Sequence, residues 1–395
     1  VLRALGQARE ALGVLQAAAD GPCRAEAAYE IALTHQALGE PEAALAAAQT
    51  AVADRPDDPV LQATVGRLAL AADRPDIAVA ALSTAIATTD AGPDLYHLLG
   101  RAHHALGQAE QAMEAHALAI RLQPDDLDYL FSFALAARDC GQHEPAVVAL
   151  REVVSARPDH AEAQLALGLS LETLQCWADA GDALAAAARL SPDIPAPHQA
   201  LGRVAMRLNN PEGAVAALSR ALELDPDHVE SYHLLGKAYA ALGRAEEALD
   251  AFRQVLERRP DDPALHAAIG CALEKLGAHA EAVPILDRAR SLDPQNAIVC
   301  ATLSQALRAL GRTPHAVEAA RAAVEIAPRS APYHVTLGEL LVEAGDPAAA
   351  ADAWAIALTL DPTDEKIRRR LIELCESLDR PGAALEGAAP LVERE

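Results

Sequence analysis

Aromatic side chains are scarce in this sequence: phenylalanine, tryptophan and tyrosine together make up 3% of 395 residues. β-Branched residues form none of the alternating apolar and polar runs that half-buried strands need, so we expect no β-sheet. Alanine and leucine dominate instead. A chain of this length buries its apolar half either in several domains or in a one-dimensional array of repeats.

Positive charge is also in short supply. The chain carries 33 Lys+Arg against 57 Asp+Glu, which gives a formal net charge of −24. Such a surplus of negative charge repels phosphate backbones and anionic lipid headgroups, so we expect no nucleic-acid partner and no membrane-surface role. No uncharged apolar run reaches the roughly 18 residues of a membrane span, so membrane insertion is not expected.

The motifs that carry catalytic or metal chemistry are missing as well: there is no P-loop, GxSxG, HExxH, CxxC or EF-hand loop. His103 and His104 do not suggest a metal site, because adjacent helical residues point about 100° apart. Cys271 could form a dyad with a neighbouring histidine, but no third group is visible to orient it, so we interpret it as a packed thiol. We therefore expect no enzymatic activity, no cofactor and no metal.

The six cysteines lie far apart in the sequence, which indicates free thiols in a reducing compartment and hence a cytoplasmic location. Lysine occurs only at Lys237, Lys275 and Lys366, and together with the alanine excess this favours a GC-rich bacterial source. The chain begins at Val1 without a methionine or a signal-like segment, which indicates a fragment or a start that is not shown.

Small residues recur with a period of 34 residues, the period of a helix-turn-helix repeat. The first column contains Gly66, Gly100, Gly168, Gly202, Gly236, Gly270 and Gly338, with Ala134 and Ser304 in its gaps. A second column, twelve residues further on, is alanine in every repeat from Ala44 to Ala384. Because two helices approach closely only where side chains are small, we predict that the glycine column faces the alanine column.

Proline and a second set of glycines divide the repeats. Proline recurs from Pro56 to Pro362, where it ends one helix and is tolerated at the start of the next. The glycines that follow helical runs suit the left-handed residue that closes a helix, and they mark the turn within each repeat: Gly39, Gly107, Gly141, Gly243, Gly277, Gly311 and Gly345.

These columns, in stretches such as 232-YHLLGKAYAALGRAEEALDAFRQVLERRPDD-262, resemble the tetratricopeptide repeat family over essentially the whole chain. The resemblance implies an all-α fold, a right-handed α-solenoid superhelix of tandem 34-residue helix-turn-helix repeats. We assign a partial repeat (a second helix) to 1–24, ten full units to 25–364 and an eleventh, truncated unit to 365–395. Neither end carries a polar capping helix, so further chain, a partner or self-association is expected to cover the ends.

Some positions depart from the family pattern. The tryptophan preferred at the fourth position of the repeat is replaced by polar or smaller residues from Gln62 to His334, so local stability should vary along the stack. Pro284 falls inside a second helix, where it removes a hydrogen bond to the carbonyl of Ala280 and should bend that helix. Pro390 should fray the last helix.

In the family, the first helix of each repeat lines a concave groove with positions 2, 5, 9, 12 and 13. Carried over by register, position 9 holds four cations in ten repeats, which is notable in so acidic a chain. The candidate groove residues form two basic clusters with an apolar floor between them: Arg67, His97, Arg101, His104, Phe131, Leu135, Arg138, Leu165, Leu169, Arg203, Arg207, His233 and Lys237.

This pattern suits an acidic polypeptide segment with an apolar centre. The alternative is that Leu135 and Leu169 pack between repeats, while the arginines form a solvated face with intramolecular acidic partners. The family's carboxylate clamp uses Lys and Asn at inward positions, and no asparagine occupies them here. Chaperone-tail recognition is therefore not expected.

Three functions remain open on the sequence. The first is a protein–protein interaction scaffold or adaptor that binds a protein or peptide ligand. The second is a sensor or substrate-recruiting arm of a larger enzyme whose catalytic domain lies outside this chain. The third is a structural protein that self-assembles through its terminal repeats.

Overall fold

The computed structural model describes residues 8–18 and 23–377, which form 22 α-helices and no strand. The chain divides into two compact units, 1–200 and 201–395, and the boundary falls within the twelfth helix. The helices up to that boundary are α1 Ala8–Ala18, α2 Arg24–Leu38, α3 Pro41–Asp54, α4 Pro59–Ala71, α5 Pro75–Thr88, α6 Pro93–Ala105, α7 Ala109–Leu122, α8 Leu127–Asp139, α9 His143–Ala156, α10 Ala161–Thr173, α11 Trp177–Leu190 and α12 Pro195–Arg207.

The remaining helices lie in the second unit and continue the same alternation of first and second helices. They are α13 Pro211–Leu224, α14 Val229–Ala241, α15 Ala245–Arg258, α16 Pro263–Lys275, α17 His279–Leu292, α18 Ala297–Ala309, α19 Thr313–Ile326, α20 Ala331–Glu343, α21 Pro347–Leu360 and α22 Glu365–Ser377. Within each unit, helices packed together are mainly neighbours in the chain, as in a solenoid. The predicted all-α class is confirmed.

Helix starts recur with the 34-residue period. The even-numbered helices from α4 to α20 begin at residues 59, 93, 127, 161, 195, 229, 263, 297 and 331. This spacing agrees with our unit boundaries, which we keep as a proposal. The expectations for residues 1–7, 19–22 and 378–395, including Pro390, lie outside the described residues.

Local side chains start and stop these helices. Asp58, Asp126 and Asp262 each accept hydrogen bonds from backbone N–H groups in the first turn of α4, α8 and α16. The seven predicted turn glycines all have φ between 70° and 82°. In three repeats the same turn position is held by Asp73, Gln175 and Asn209, with φ of 53°, 60° and 55°. The left-handed turn is therefore kept even where glycine is absent.

The side chains nearest the glycine column are large ones of the second helix, four positions beyond the alanine column, so contact between the two columns stays a prediction. A Cβ added at Gly270 would lie 2.5 Å from Cδ2 of Leu286, and one at Gly168 would lie 2.5 Å from Cγ of Leu184. The residue pressed against each glycine is thus a large one, sixteen positions further along. The glycine is required because it makes room for a bulky side chain from the second helix. The alanine column is fully buried from Ala44 to Ala350.

The fourth position of the repeat has a structural role that the sequence did not reveal. In five repeats its side chain donates a hydrogen bond to the carbonyl of the proline six residues earlier, which secures the turn between repeats. The donors are Gln62 to Pro56 (2.7 Å), Gln164 to Pro158 (3.3 Å), His198 to Pro192 (3.3 Å), His334 to Pro328 (2.9 Å) and Arg368 to Pro362. In the repeat with Tyr232, Arg258 donates to the Pro226 carbonyl instead, at 3.1 Å.

Pro284 does not interrupt its helix. α17 runs from His279 to Leu292 and has 14 residues, the same length as α15 and α19. Pro284 and Ala280 are both exposed, so water can hydrogen-bond to the carbonyl that the proline leaves without a donor. The expected bend stays a prediction.

Candidate functional site

Three consecutive helices of the first unit, α6, α7 and α8, form a concave pocket of about 350 Å³. We call it the Arg101 pocket. It brings together five of the predicted groove residues, namely His97, Arg101, His104, Phe131 and Leu135. His116, Asp128 and Ser132 also line it. The pocket therefore combines cationic and apolar side chains within one small concavity.

Arg101 is the uncompensated charge of this pocket. Its side chain is exposed, and it makes no ion pair with any residue in the described part of the chain. Asp128 is the one carboxylate in the lining, and its Oδ1 accepts a hydrogen bond from Nη1 of Arg157 at 2.6 Å. The guanidinium of Arg101 is thus available to an anionic ligand.

A buried histidine lies beneath the pocket. His116 occupies the column that is leucine in several other repeats and rests against Gly100, with 1% of its surface exposed. Burial, with the nearby His97, His104 and Arg101 charges, lowers the pKa of His116 to about 3. Its ring centre is 5.1 Å from that of His97, and burial followed by the Arg101 charge lowers the pKa of His97 also. His116 is therefore a neutral, packed residue near neutral pH.

Tyr129 extends this cluster. Its ring centre is 4.8 Å from that of His97, and its hydroxyl donates a hydrogen bond to Oδ1 of Asp94 at 2.5 Å. Burial and the Asp94 carboxylate raise the pKa of Tyr129. The wall of the Arg101 pocket is consequently built from side chains of three helices that hold one another in place.

Other predicted basic residues are engaged within the protein. Nε2 of His104 is 2.9 Å from Oδ2 of Asp139, and Arg138 donates to the same carboxylate at 3.2 Å. Arg67 donates weakly to Oγ1 of Thr64 at 3.4 Å. The alternative of intramolecular partners thus describes part of the basic set but not Arg101.

The apolar candidates differ in their positions. Phe131 is half-buried, packs against the ring of His160 with 4.7 Å between centroids, and also lines the Arg101 pocket. Leu135 is also half-buried in that pocket. Leu165 and Leu169 are half-buried but do not line it. Phe131 and Leu135 therefore supply apolar surface to the Arg101 pocket, and the longer apolar floor stays a prediction.

A separate pocket lies in the second unit and has a volume of about 690 Å³. We call it the Lys237 pocket. It includes Lys237 from the predicted set, together with Met206, Cys271 and Lys275. Arg203, Arg207 and His233 do not line it. His233 is half-buried instead, and burial together with the Lys237 charge lowers its pKa.

A third concavity, of about 400 Å³, lies near the end of α22, and its positive charges are neutralised by glutamates of the protein itself. Arg308 donates to Oε2 of Glu339 at 3.0 Å and also pairs with Glu343. Arg370 donates to Oε1 of Glu339 at 2.5 Å. Every cation in this concavity already has a carboxylate.

The repeat period has a counterpart in known proteins. The sequence matches the tetratricopeptide repeat family over residues 131–195, 200–263, 233–297 and 335–389, which together exceed half of the chain. The chain belongs to the tetratricopeptide repeat family. Related descriptions of the same repeat match residues 273–340 and 93–126, and the second of these matches contains α6 and α7.

Solved tetratricopeptide repeat proteins are similar to parts of this chain. The C-terminal part of a TPR repeat-containing protein from Cytophaga hutchinsonii has a TM-score of 0.51 and 18% identity, covering 60% of this chain and 97% of that one. A protein from Parabacteroides merdae gives a TM-score of 0.45 at 17% identity, covering 63% and 98%. YrrB, a TPR protein with an unusual peptide-binding site, gives 0.43 at 24%, covering 47% and 96%. The likeness to the Cytophaga hutchinsonii structure shows the fold alone, and no curated protein matches the sequence.

Sequence reasoning missed several pocket residues of this tetratricopeptide repeat protein. Lys275 and Met206 occupy positions 13 and 12 of their units, which the family's groove map already assigns inward, so applying the whole map would have found them. His116 was detectable as the one polar residue in a mostly apolar column. Cys271 was assigned as a packed thiol, but it is only half-buried and opens onto the Lys237 pocket.

Two further observations concern metal binding and membrane insertion in the described region. No group of three or more histidine, cysteine or acidic side chains within it has the arrangement of a metal site. His103 and His104 turn to different partners, since Nδ1 of His103 is 2.7 Å from Oε1 of Gln108. Among the helices described, none is both long and apolar enough to cross a membrane.

Proposed function

We propose that this tetratricopeptide repeat protein binds an acidic polypeptide segment with an apolar centre, and that the Arg101 pocket is a principal contact. Tetratricopeptide repeats support a protein–protein interaction scaffold in general. The finer proposal depends on one observation: Arg101, unpaired in a chain of net charge −24, stands beside the half-buried Phe131 and Leu135.

The positive charge of Arg101 favours a carboxylate ligand. In so acidic a protein many exposed arginines have an intramolecular acid, as Arg151 has in Asp179 and Arg288 in Asp261. A guanidinium without such a partner binds a carboxylate through two parallel hydrogen bonds, which gives both energy and orientation. The rest of the protein's negative field would slow the approach of acidic ligands, so the site would discriminate by local fit.

The apolar side chains of the Arg101 pocket add specificity for the ligand. Phe131 and Leu135 leave part of their surface in the pocket, and covering it removes apolar area from water at about 25 cal/mol per Å². A ligand with one large apolar side chain next to an acidic residue would satisfy both features. The adaptor role, the recruiting arm of a larger enzyme and self-association stay predictions.

The test is a binding measurement with a defined probe. A short fluorescein-labelled peptide with leucines flanked by glutamates should bind the full chain, as followed by fluorescence anisotropy. Arg101→Glu should weaken binding at least tenfold, about 1.4 kcal/mol, because the ion pair becomes a repulsion. Phe131→Ala should weaken it by a similar factor through lost apolar contact.

The matched control is Arg121→Glu. Arg121 is exposed near the end of α7 and does not line the Arg101 pocket, so this variant changes the net charge equally. Its affinity should stay within about twofold of the unmodified chain, since distant surface charges are largely screened. Equal affinities for Arg101→Glu and Arg121→Glu would contradict the proposal.

A further inference from the structure

We infer that the second unit carries its own ligand site, the Lys237 pocket, which receives a large apolar side chain flanked by carboxylates in a polypeptide partner. This inference rests on the proposed protein-binding role but not on the Arg101 pocket, with which it shares no residue. The two sites can therefore be tested separately.

The shape of the Lys237 pocket is set by small residues. Four alanines, Ala240, Ala241, Ala268 and Ala272, line it together with Met206 and Leu276. Because alanine leaves space that a larger side chain would fill, neighbouring first helices enclose about 690 Å³, almost twice the Arg101 pocket. That volume lies in the range of natural ligand pockets and accommodates the largest side chains. Methionine adapts its conformation to such an occupant.

The charges of the pocket point to carboxylates. Lys237 and Lys275 are two of the three lysines in the sequence, both are exposed, and none of the described residues lining the pocket is acidic. Neither ammonium group forms an ion pair with any residue that the structure describes. Two unpaired cations on the rim of an apolar concavity match a ligand that is apolar in the middle and acidic on both sides.

The third concavity of the same unit provides an internal comparison. There, Arg308 and Arg370 are held by Glu339 and Glu343, so the protein supplies its own carboxylates. In the Lys237 pocket the corresponding carboxylates are missing from the lining. In the third concavity the arginines are therefore neutralised by carboxylates of the protein itself. In the Lys237 pocket the two lysines remain able to bind carboxylates of an external partner.

Cys271 provides a reporter for occupancy. Its half-buried thiol lines the pocket, with Sγ 3.5 Å from Oγ1 of Thr302. The full chain is treated with iodoacetamide, and alkylation of Cys271 is followed by mass spectrometry of its proteolytic peptide. Cys176, which is exposed and lies in the first unit, serves as the reference thiol in the same sample.

The probe is a short peptide with a central tryptophan between glutamates. At about ten times its Kd it should slow alkylation of Cys271 about tenfold, because only the free pocket reacts, while Cys176 reacts at an unchanged rate. Lys237→Glu with Lys275→Glu should abolish the protection. The control pair, Arg321→Glu with Lys366→Glu, alters the charge equally at exposed residues outside the pocket and should keep the protection.

Several results would overturn the inference. These are no protection of Cys271, equal protection by a peptide with lysines in place of the glutamates, or protection that persists in the Lys237/Lys275 variant with unchanged helical circular dichroism. Equal protection by free indole-3-acetate would show a site for small organic acids instead. The Arg101→Glu variant separates the two proposals. In this variant, peptide binding at the Arg101 pocket should be lost, whereas the tryptophan peptide should still protect Cys271 from alkylation.

Discussion

At the scale of single residues, the repeat is governed by complementary sizes. Glycine in the first helix is matched by a large residue sixteen positions later, as with Gly236 against Phe252 and Gly338 against Trp354. At Ala32 and Ser304 the first position is larger and the later one is small, Ala48 or Ala320, whereas Ala134 keeps a large residue, Leu150. In most repeats the two positions are thus complementary in size, which is expected of interiors packed as densely as crystals.

The burial of His116 leads to a prediction about how the stability of the protein depends on pH. A histidine whose pKa is lowered in the folded state stays neutral there, whereas in the unfolded chain it takes up a proton near its ordinary pKa of 6.5. The stability it contributes is therefore present above about pH 6.5 and is lost as the pH falls towards its folded pKa of about 3. His116→Leu should remove roughly 2 kcal/mol of the stability lost between about pH 7 and about pH 5.

The measurement is urea unfolding of both proteins at the two pH values. The exposed His315→Gln is the control and should leave the pH dependence as it is. If His116→Leu showed the same pH dependence as the unmodified chain, the assignment of a buried neutral His116 would be wrong.

At the scale of the helix pair, the sequence predicted the turns and the breaks between helices well, because these features depend on residues close together in the chain. The turn residue and the proline act within a few positions of the helix ends that they mark, so their types identify the structure directly. The fourth-position side chains could not be assigned in this way. Their acceptor is a carbonyl in the loop six residues earlier, and residues as different as Gln62, His334 and Arg368 donate to it, so no single residue type identifies the bond.

Gln175 makes the element-scale prediction. It is exposed and holds φ of 60° at the turn where seven other repeats have glycine. A side chain in the left-handed region costs about 1–2 kcal/mol, so Gln175→Gly should stabilise the protein by about 1 kcal/mol, even after the greater backbone entropy of glycine in the unfolded chain. Thermal unfolding measures the gain. The reverse change, Gly243→Gln, should cost a similar amount, and a destabilised Gln175→Gly would contradict the account.

At the scale of the whole molecule, repeats contact mainly their neighbours, so a perturbation should remain local. Gly270→Ala forces a Cβ against Leu286 and should cost about 1–3 kcal/mol. Amide hydrogen exchange should accelerate in α16, α17 and α18, whereas α4 and α5 of the other unit should exchange at their original rates.

Gly92→Ala is the matched control for that experiment. Gly92 has φ of −71°, and an added Cβ would meet nothing within 4 Å, so exchange should change little. Acceleration throughout both units in Gly270→Ala would mean that the chain unfolds as one cooperative body.

The sequence by itself determined the helix-turn-helix period, the helix boundaries and the left-handed turns, because these depend on residues close together in the chain. It also indicated several of the residues that share the Arg101 pocket, since a fixed period places equivalent positions on equivalent faces. Only the tertiary structure decided which large residue each glycine meets, and which cations, such as Arg308, are already neutralised. Those outcomes depend on how neighbouring helices are rotated about their axes, and that rotation is fixed by packing between helices.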